Sequence, residues 1–392
     1  MLIIKTHPCN LQRTGASPTY VYTTWTSSGS PYYALGAMVK YQVGSLYYDY
    51  RCIRGHGAYS SRNPTNTYYW SCVGPASTSG GYTYTTNVRQ SNATTWASGS
   101  AVALGQAVYD NADFSDYMAA VAMTAQENGA TNRPSEAILS STASIAARWV
   151  RIGKANAWAW ADYEIANRLS GYDANNALVN PVTFTIDAGT LAFAVNRIAF
   201  AGLANVETVT VKTYKGANLV ETLTKSLSKT TTQSGAYLLS SAVLTSTGLA
   251  AGDAVTIEVS LSRQTTDLPL IVGAIVIGYG YRLASTDWDV ETSQLNFSRR
   301  ERDTTFGTVK FLARGSAKTI RATGFLDAAI SSGDYLLSLL ASLSGGPIYF
   351  DLNPDDTDYD RLRIFGICTR ASSVIKAVDW ESVSLELEGL VE

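Results

Sequence analysis

The chemistry on offer in this sequence is mostly that of aromatic faces. The chain of 392 residues holds 24 tyrosines and 8 tryptophans but only two histidines, His7 and His56. An exposed aromatic ring can stack on a pyranose, because axial C–H groups of the sugar meet the π surface while nearby polar groups fix orientation. Tyr47, Tyr50, Tyr59, Tyr68 and Tyr69 are candidates for such contact. Alternation along Tyr47-Tyr48-Asp49-Tyr50 sends Tyr48 and Tyr50 to one face of a strand and Tyr47 to the other. Trp25, Trp70, Trp96 and Trp149 admit two readings: stacking surfaces, or the cores of very small domains.

Other chemistry has less material. Carboxylate pairs that could flank a glycosidic bond are Asp110 with Asp113 and Asp287 with Asp289. Two histidines leave little for a Ser-His-Asp triad. No Gly-x-Ser-x-Gly, Walker loop or dinucleotide fingerprint occurs, so the expectation is a protein without enzymatic activity or cofactor. Cys52 and His56 lie close in sequence, but no further ligands accompany them, and no metal site is expected. Asp351-Leu352-Asn353-Pro354-Asp355 starts like a calcium loop. Asp356 replaces the required glycine, and Leu362 stands at the closing glutamate, which favours a solvated acidic loop.

Composition narrows the class. Charged residues are 16% of the chain, against about 25% in an ordinary soluble domain. The net charge is -2 with no basic stripe, so nucleic acid is not an expected partner. The longest apolar stretch, around Leu268–Ile277, is interrupted by Pro269 and Gly273, and no membrane insertion is expected. Met1–Lys5 reads as a short strand rather than a secretory signal. Cys9, Cys52, Cys72 and Cys368 are too few for a disulfide framework. A Cys52–Cys72 bridge is one option, and free thiols are favoured.

The elements that must position these residues begin with an internal repeat. Trp25, Ala34-Leu35-Gly36, Val39, a turn at Asn63-Pro64, Trp70 and Gly74 form one unit. Trp96, Ala103-Leu104-Gly105, Val108, a turn at Asn132-Arg133-Pro134, Trp149 and Gly153 form the second, with an insertion at 135–147. Residues 39–53 alternate around Gly44-Ser45 as a hairpin. From residue 155 to 283, about seven strand-like runs at regular spacing predict a β-sandwich. The remainder predicts further strands and one helix over 326–343, with Ala329, Leu336, Leu337, Leu340 and Leu343 at helical spacing. The expected fold is therefore mainly β. Two small tandem modules (1–80 and 81–153) precede a sandwich (154–284) and an α+β domain with one helix on a sheet (285–392).

Two resemblances add to this reading. Trp25, Tyr33, Gly36, Val39, Tyr41, Tyr48, Cys52, His56, Pro64, Tyr69 and Trp70 follow the order seen in chitin-binding-type carbohydrate-binding modules, which the first repeat resembles. The resemblance implies sugar contact by Trp25, Tyr48, Tyr69 and Trp70. The second repeat lacks the Tyr-rich strand and the histidine. From residue 155 onward, runs such as Asn196-Arg197-Ile198-Ala199-Phe200, Gly346-Pro347-Ile348-Tyr349-Phe350 and the closing Leu387-Glu388-Gly389-Leu390 are similar to tail-tip and baseplate proteins of long-tailed bacteriophages, of the distal-tail type. That resemblance implies a virion tail-tip subunit assembled in the host cytoplasm. Its expected partners are copies of itself in a symmetric ring, other tail or baseplate proteins, and a host-surface glycan. Arg300 and Arg302, on one side of a strand, suit an intersubunit salt-bridge face or a solvated edge. Two alternatives stand beside this reading. One is a secreted polysaccharide-binding protein or accessory part of a glycosidase. The other is a purely structural tail protein whose modules no longer bind sugar.

Overall fold

The computed structural model describes residues 1–6, 24–27, 32–33, 37–43, 46–52, 54–57, 59–66, 68–75, 83–111, 114–129, 132–138, 143–161, 167–191, 194–227, 240–282, 285–286, 290–302, 309–312, 314–327, 333–342, 347–354, 362–377 and 380–390. The fold is mainly β: among the described residues strand accounts for 58% and helix for 9%, and none of their sheets closes into a barrel.

The chain opens with β1 (Leu2–Thr6) and then enters the first small module. This comprises the short pair β2 (Tyr32–Tyr33) and β5 (His56–Gly57), and a meander of β3 (Met38–Val43), β4 (Leu46–Cys52) and β6 (Trp70–Pro75). After β7 (Thr83–Thr86), the second module adds β8 (Thr94–Thr95), β9 (Ala107–Asp110), β10 (Ser115–Ala119) and β11 (Trp149–Lys154). Two single-turn helices, α1 (Pro134–Ala137) and α2 (Ala143–Ala146), occupy its insertion.

The sequence repeat corresponds to a repeated topology. Thr24 bridges Lys40 in parallel, and the Trp25 amide donates to the Lys40 carbonyl ahead of the meander β3-β4-β6. In the second module β8 runs parallel to β9, and the Trp96 amide donates to the Tyr109 carbonyl ahead of the meander β9-β10-β11. The closing tryptophan is buried in both units. Its indole N–H reaches a carbonyl of the preceding turn region, from Trp70 to Arg62 at 2.8 Å and from Trp149 to Asn132 at 3.1 Å. Gly105 of the shared Ala-Leu-Gly has φ +76, a left-handed conformation that a side chain would strain.

The sandwich follows. Its strands are β12 (Leu169–Ser170), β13 (Val182–Thr190), β14 (Val195–Leu203), β15 (Val206–Lys215), β16 (Asn218–Ser226), β17 (Ser240–Leu249), β18 (Ala254–Arg263), β19 (Ile271–Val272) and β20 (Ala274–Arg282). One sheet has the order β16-β15-β18-β13-β7. On β18, Val255, Ile257, Val259 and Leu261 all point inward, as period-two patterning requires. They share one buried core with Ile198 and Phe200 of β14, Ile275 and Ile277 of β20, and Trp158 and Trp160. Each such buried side chain contributes roughly 1.5–3 kcal/mol relative to exposure.

The last stretch contains β21 (Ser285–Thr286), β22 (Glu291–Asn296), β23 (Arg299–Arg302), β24 (Val309–Leu312), β25 (Ser316–Asp327), α3 (Gly333–Ser342), β26 (Ile348–Asp351), β27 (Arg363–Ala377) and β28 (Trp380–Gly389). Helix α3 buries Leu336 and Leu339 against β26 to β28, while Leu337 faces solvent. Gly366 on β27 is required by a close approach. A Cβ there would lie 2.0 Å from the Glu388 carbonyl oxygen.

One sheet joins both C-terminal parts, in the order β17-β14-β20-β1-β26-β27-β28-β25-β21, with β22 also on β25. The first strand sits in its middle, pairing Ile3 with Tyr281 on one side and with Phe350 on the other. Leu2 and Ile4 join Ala199, Val276, Tyr349 and Phe365 in a core on the opposite face. The boundaries expected from sequence therefore shift. β1, grouped by sequence with residues 1–80, belongs to the large sheet. β7, grouped with 81–153, pairs with β13 in the sandwich. Residue 284 separates strands of a single sheet. Pairing between distant segments decides these boundaries, and local pattern does not encode it.

Candidate functional site

The first module has a core of its own, built from Val39, Tyr50, Cys52 and Trp70 with Trp25, Tyr33, Tyr41 and Tyr69 packed against it. Its chain enters after β1 and leaves before β7, so it is inserted between two strands of the larger body. The second module differs: Tyr109 and Phe114 belong to the sandwich core, stacking on Trp158 at 5.7 and 4.6 Å.

The four residues expected to touch sugar divide. Trp70 is 1% exposed, and Tyr33 and His56 pack on its ring. It cannot present a face to a ligand, which corrects the sequence expectation. Its size and its indole N–H make it the anchor of a thin core. Trp25 is half-buried, with its ring edge-on to Tyr41 at 5.4 Å. Tyr48 lies opposite Tyr41 and Pro75 on β4, and its side chain lies outside the described residues. Tyr69 is half-buried, resting on His56 with ring centroids 4.7 Å apart. Of the other tyrosine candidates, Tyr50 is buried, and the Tyr47 side chain lies outside the described residues.

Among the described residues of this module, the exposed rings are Tyr59 at 59%, Tyr68 at 56% and Tyr32 at 72%. Tyr59 and Tyr68 are linked through Arg62 and Tyr69, and Tyr32 lies on the neighbouring strand. Tyr32 pairs with Gly57, and a Cβ on Gly57 would meet the Tyr59 ring at 3.3 Å. The Arg62 guanidinium lies 4.8 Å from the Tyr59 centroid and 5.0 Å from that of Tyr69. Tyr69 meets Tyr68 edge-on at 4.9 Å, and the Arg54 guanidinium covers Tyr68 at 3.9 Å. Sequence reasoning missed Tyr32, Arg54 and Arg62. Arg54 and Tyr68 are far apart in the chain, and only the loop's path brings them together.

That path is fixed by two asparagines. Asn63 accepts from the Thr65 amide at 3.2 Å through its side chain, and its carbonyl accepts from the Asn66 amide at 2.9 Å. The Asn66 side chain donates to the Ser61 carbonyl at 2.9 Å and accepts from the Tyr68 amide at 3.1 Å. The Asn66 carbonyl accepts from the amides of Tyr69 and Trp70. Asparagine turns of this kind hold a loop without regular structure. Beneath them, His56 donates from Nδ1 to the Gly57 carbonyl at 2.8 Å. The Cys52 thiol bonds to the Arg54 carbonyl at 3.2 Å, and burial pushes its pKa up.

Of the remaining candidates, Asp110 and Asp351 are engaged in structure. Asp110 is fully buried, its carboxylate held by Arg133 at 2.7 Å and by the Ser135 amide at 3.1 Å. Asp113, Asp287 and Asp289 lie outside the described residues. Asp351 is paired with Arg363 at 3.1 Å, and 355–360 lie outside the described residues. Among the described residues, no group of three or more His, Cys, Asp or Glu side chains is placed to hold a metal. The side chains of Arg300 and Arg302 lie outside the described residues.

Comparison of the chain with protein-family models, curated proteins and solved structures finds no match. The functional reading therefore rests on the geometry above and on the sequence resemblances.

Proposed function

We propose that this chain is a structural, non-enzymatic subunit of a bacteriophage tail tip or baseplate, and that its first module touches a host-surface glycan. The observation that carries the reading is the pair of exposed tyrosines Tyr59 and Tyr68, joined through Arg62 and Tyr69, with exposed Tyr32 on the neighbouring strand of a module inserted between two strands of the larger body. Exposed aromatic clusters on a loop held by side-chain hydrogen bonds are suited to stacking on sugar rings, because little ordering entropy is lost on contact. The larger body serves as scaffold in a ring of copies, beside other tail proteins. Exposed apolar side chains at Phe311, Val374 and Ile375 supply surface for neighbouring subunits. In such a ring, weak single-site binding is strengthened by many linked copies.

The second module acts as a spacer in this reading. Its Trp96 ring is half-buried with the Arg133 guanidinium 5.4 Å away, and Trp149 is buried. The test is retention of the full chain on chitin, peptidoglycan and host cell-surface polysaccharide, beside a Tyr59→Ala/Tyr68→Ala variant. Retention on one of them that the folded variant loses supports the reading. No retention on any moves the module to a packing role in the tail tip.

A further inference from the structure

The tyrosine surface carries two cations. Arg54 is exposed and lies over Tyr68, and Arg62 lies between Tyr59 and Tyr69. None of the ion pairs among the described residues uses either arginine. This local positive character stands in a chain whose net charge is -2. An arginine stacked on an aromatic ring is held by the ring quadrupole and keeps its N–H edge free for a second partner. That edge matches a carboxylate or phosphate in bidentate geometry, which neutral hydroxyls do not reproduce.

We infer that the first module selects glycans bearing anionic groups, with Arg54 and Arg62 as the specificity-determining residues beside the stacking tyrosines. This rests on the glycan reading above. A neutral polymer such as chitin would use the rings and leave both guanidinium groups without an anion. Carboxylate-bearing and phosphate-bearing polymers share the required chemistry, and binding tests separate them. Exposed ion contacts are each worth up to about fivefold in affinity, so the pair supplies a few-fold to about twenty-fivefold.

The experiment measures retention of the full chain on four surfaces: polygalacturonate, its fully methyl-esterified form, a wall teichoic acid, and chitin. It compares the unmodified chain with Arg54→Gln/Arg62→Gln, whose fold is verified by its circular dichroism and melting profile. The expected result is binding to polygalacturonate or teichoic acid a few-fold to about twenty-fivefold above the ester and chitin. That preference falls as salt rises and is lost in the double variant. The salt series on the unmodified chain keeps the test decisive even if the variant folds poorly. Equal, salt-independent binding to polygalacturonate and its ester overturns the anionic selection while leaving sugar contact in place. Salt-sensitive binding that the double variant retains also overturns it, since the charge then lies elsewhere. No binding to any of the four overturns the selection, and retention on peptidoglycan or host polysaccharide decides the glycan reading separately.

Discussion

Replacing Asp351 with asparagine should loosen the middle of the large sheet while leaving the first module intact. Asp351 and Arg363 face each other across β26 and β27, and their side chains are each 3% exposed. Asp351 also accepts the Asn353 amide at 3.1 Å. Arg197 lies close enough to feel its charge: burial lowers the Arg197 pKa, and Asp351 opposes that shift. Asparagine keeps the shape but removes the charge, leaving a buried guanidinium facing a neutral amide. Breaking a buried pair in this way costs about 3–5 kcal/mol. If opening is local, that corresponds to about hundredfold to several-thousandfold faster amide exchange. Hydrogen-exchange mass spectrometry should show the change in peptides covering 348–351 and 363–366, and no change in 38–52. An Asp351→Asn/Arg363→Met double variant should recover much of the protection, because the uncompensated charge is gone. Unchanged exchange in the single variant, or a double variant as labile as the single, would refute the reasoning.

Other consequences are simpler. Trp70→Ala should destabilise the first module by about 3–5 kcal/mol through its cavity and the orphaned Arg62 carbonyl, read as a lost melting step, whereas Tyr68→Ala should leave melting nearly unchanged. The Thr124 amide, then its hydroxyl, hold the Glu127 carboxyl below its usual pKa. Its stabilising contribution is present above the ordinary carboxylate range and fades as pH falls through the lowered folded-state value. The difference in melting between the unmodified chain and Glu127→Gln should therefore vanish in acid. The Cys52 thiol is buried with a raised pKa, so iodoacetamide should label it only after denaturant is added, as followed by peptide mass spectrometry.

Much of the architecture was legible because burial imposes period-two patterning. Val255, Ile257, Val259 and Leu261 announce β18, and the strand-like runs between residues 182 and 279 overlap β13 to β20, the run at 237–242 reaching only the first three residues of β17. The paired Trp signals fall in two stretches that each contain a three-stranded meander. The place of β1 was hidden, because Leu2-Ile3-Ile4 names a buried strand without naming its partners. The site was only half visible. Trp70 and Tyr59 are both large aromatics in one loop region, and sequence cannot say which turns inward. The Asn63 and Asn66 side chains decide that by fixing the loop, and they also bring Arg54 onto Tyr68.

The most direct test of the central claim is tyrosine nitration of the full chain with and without host cell-surface polysaccharide, mapped residue by residue. The account predicts that Tyr59 and Tyr68 react in the free protein and are protected when polysaccharide is present, while buried Tyr50 stays unreactive in both. Unchanged nitration of Tyr59 and Tyr68 under conditions where the polysaccharide retains the protein would contradict it, since binding would then use another surface.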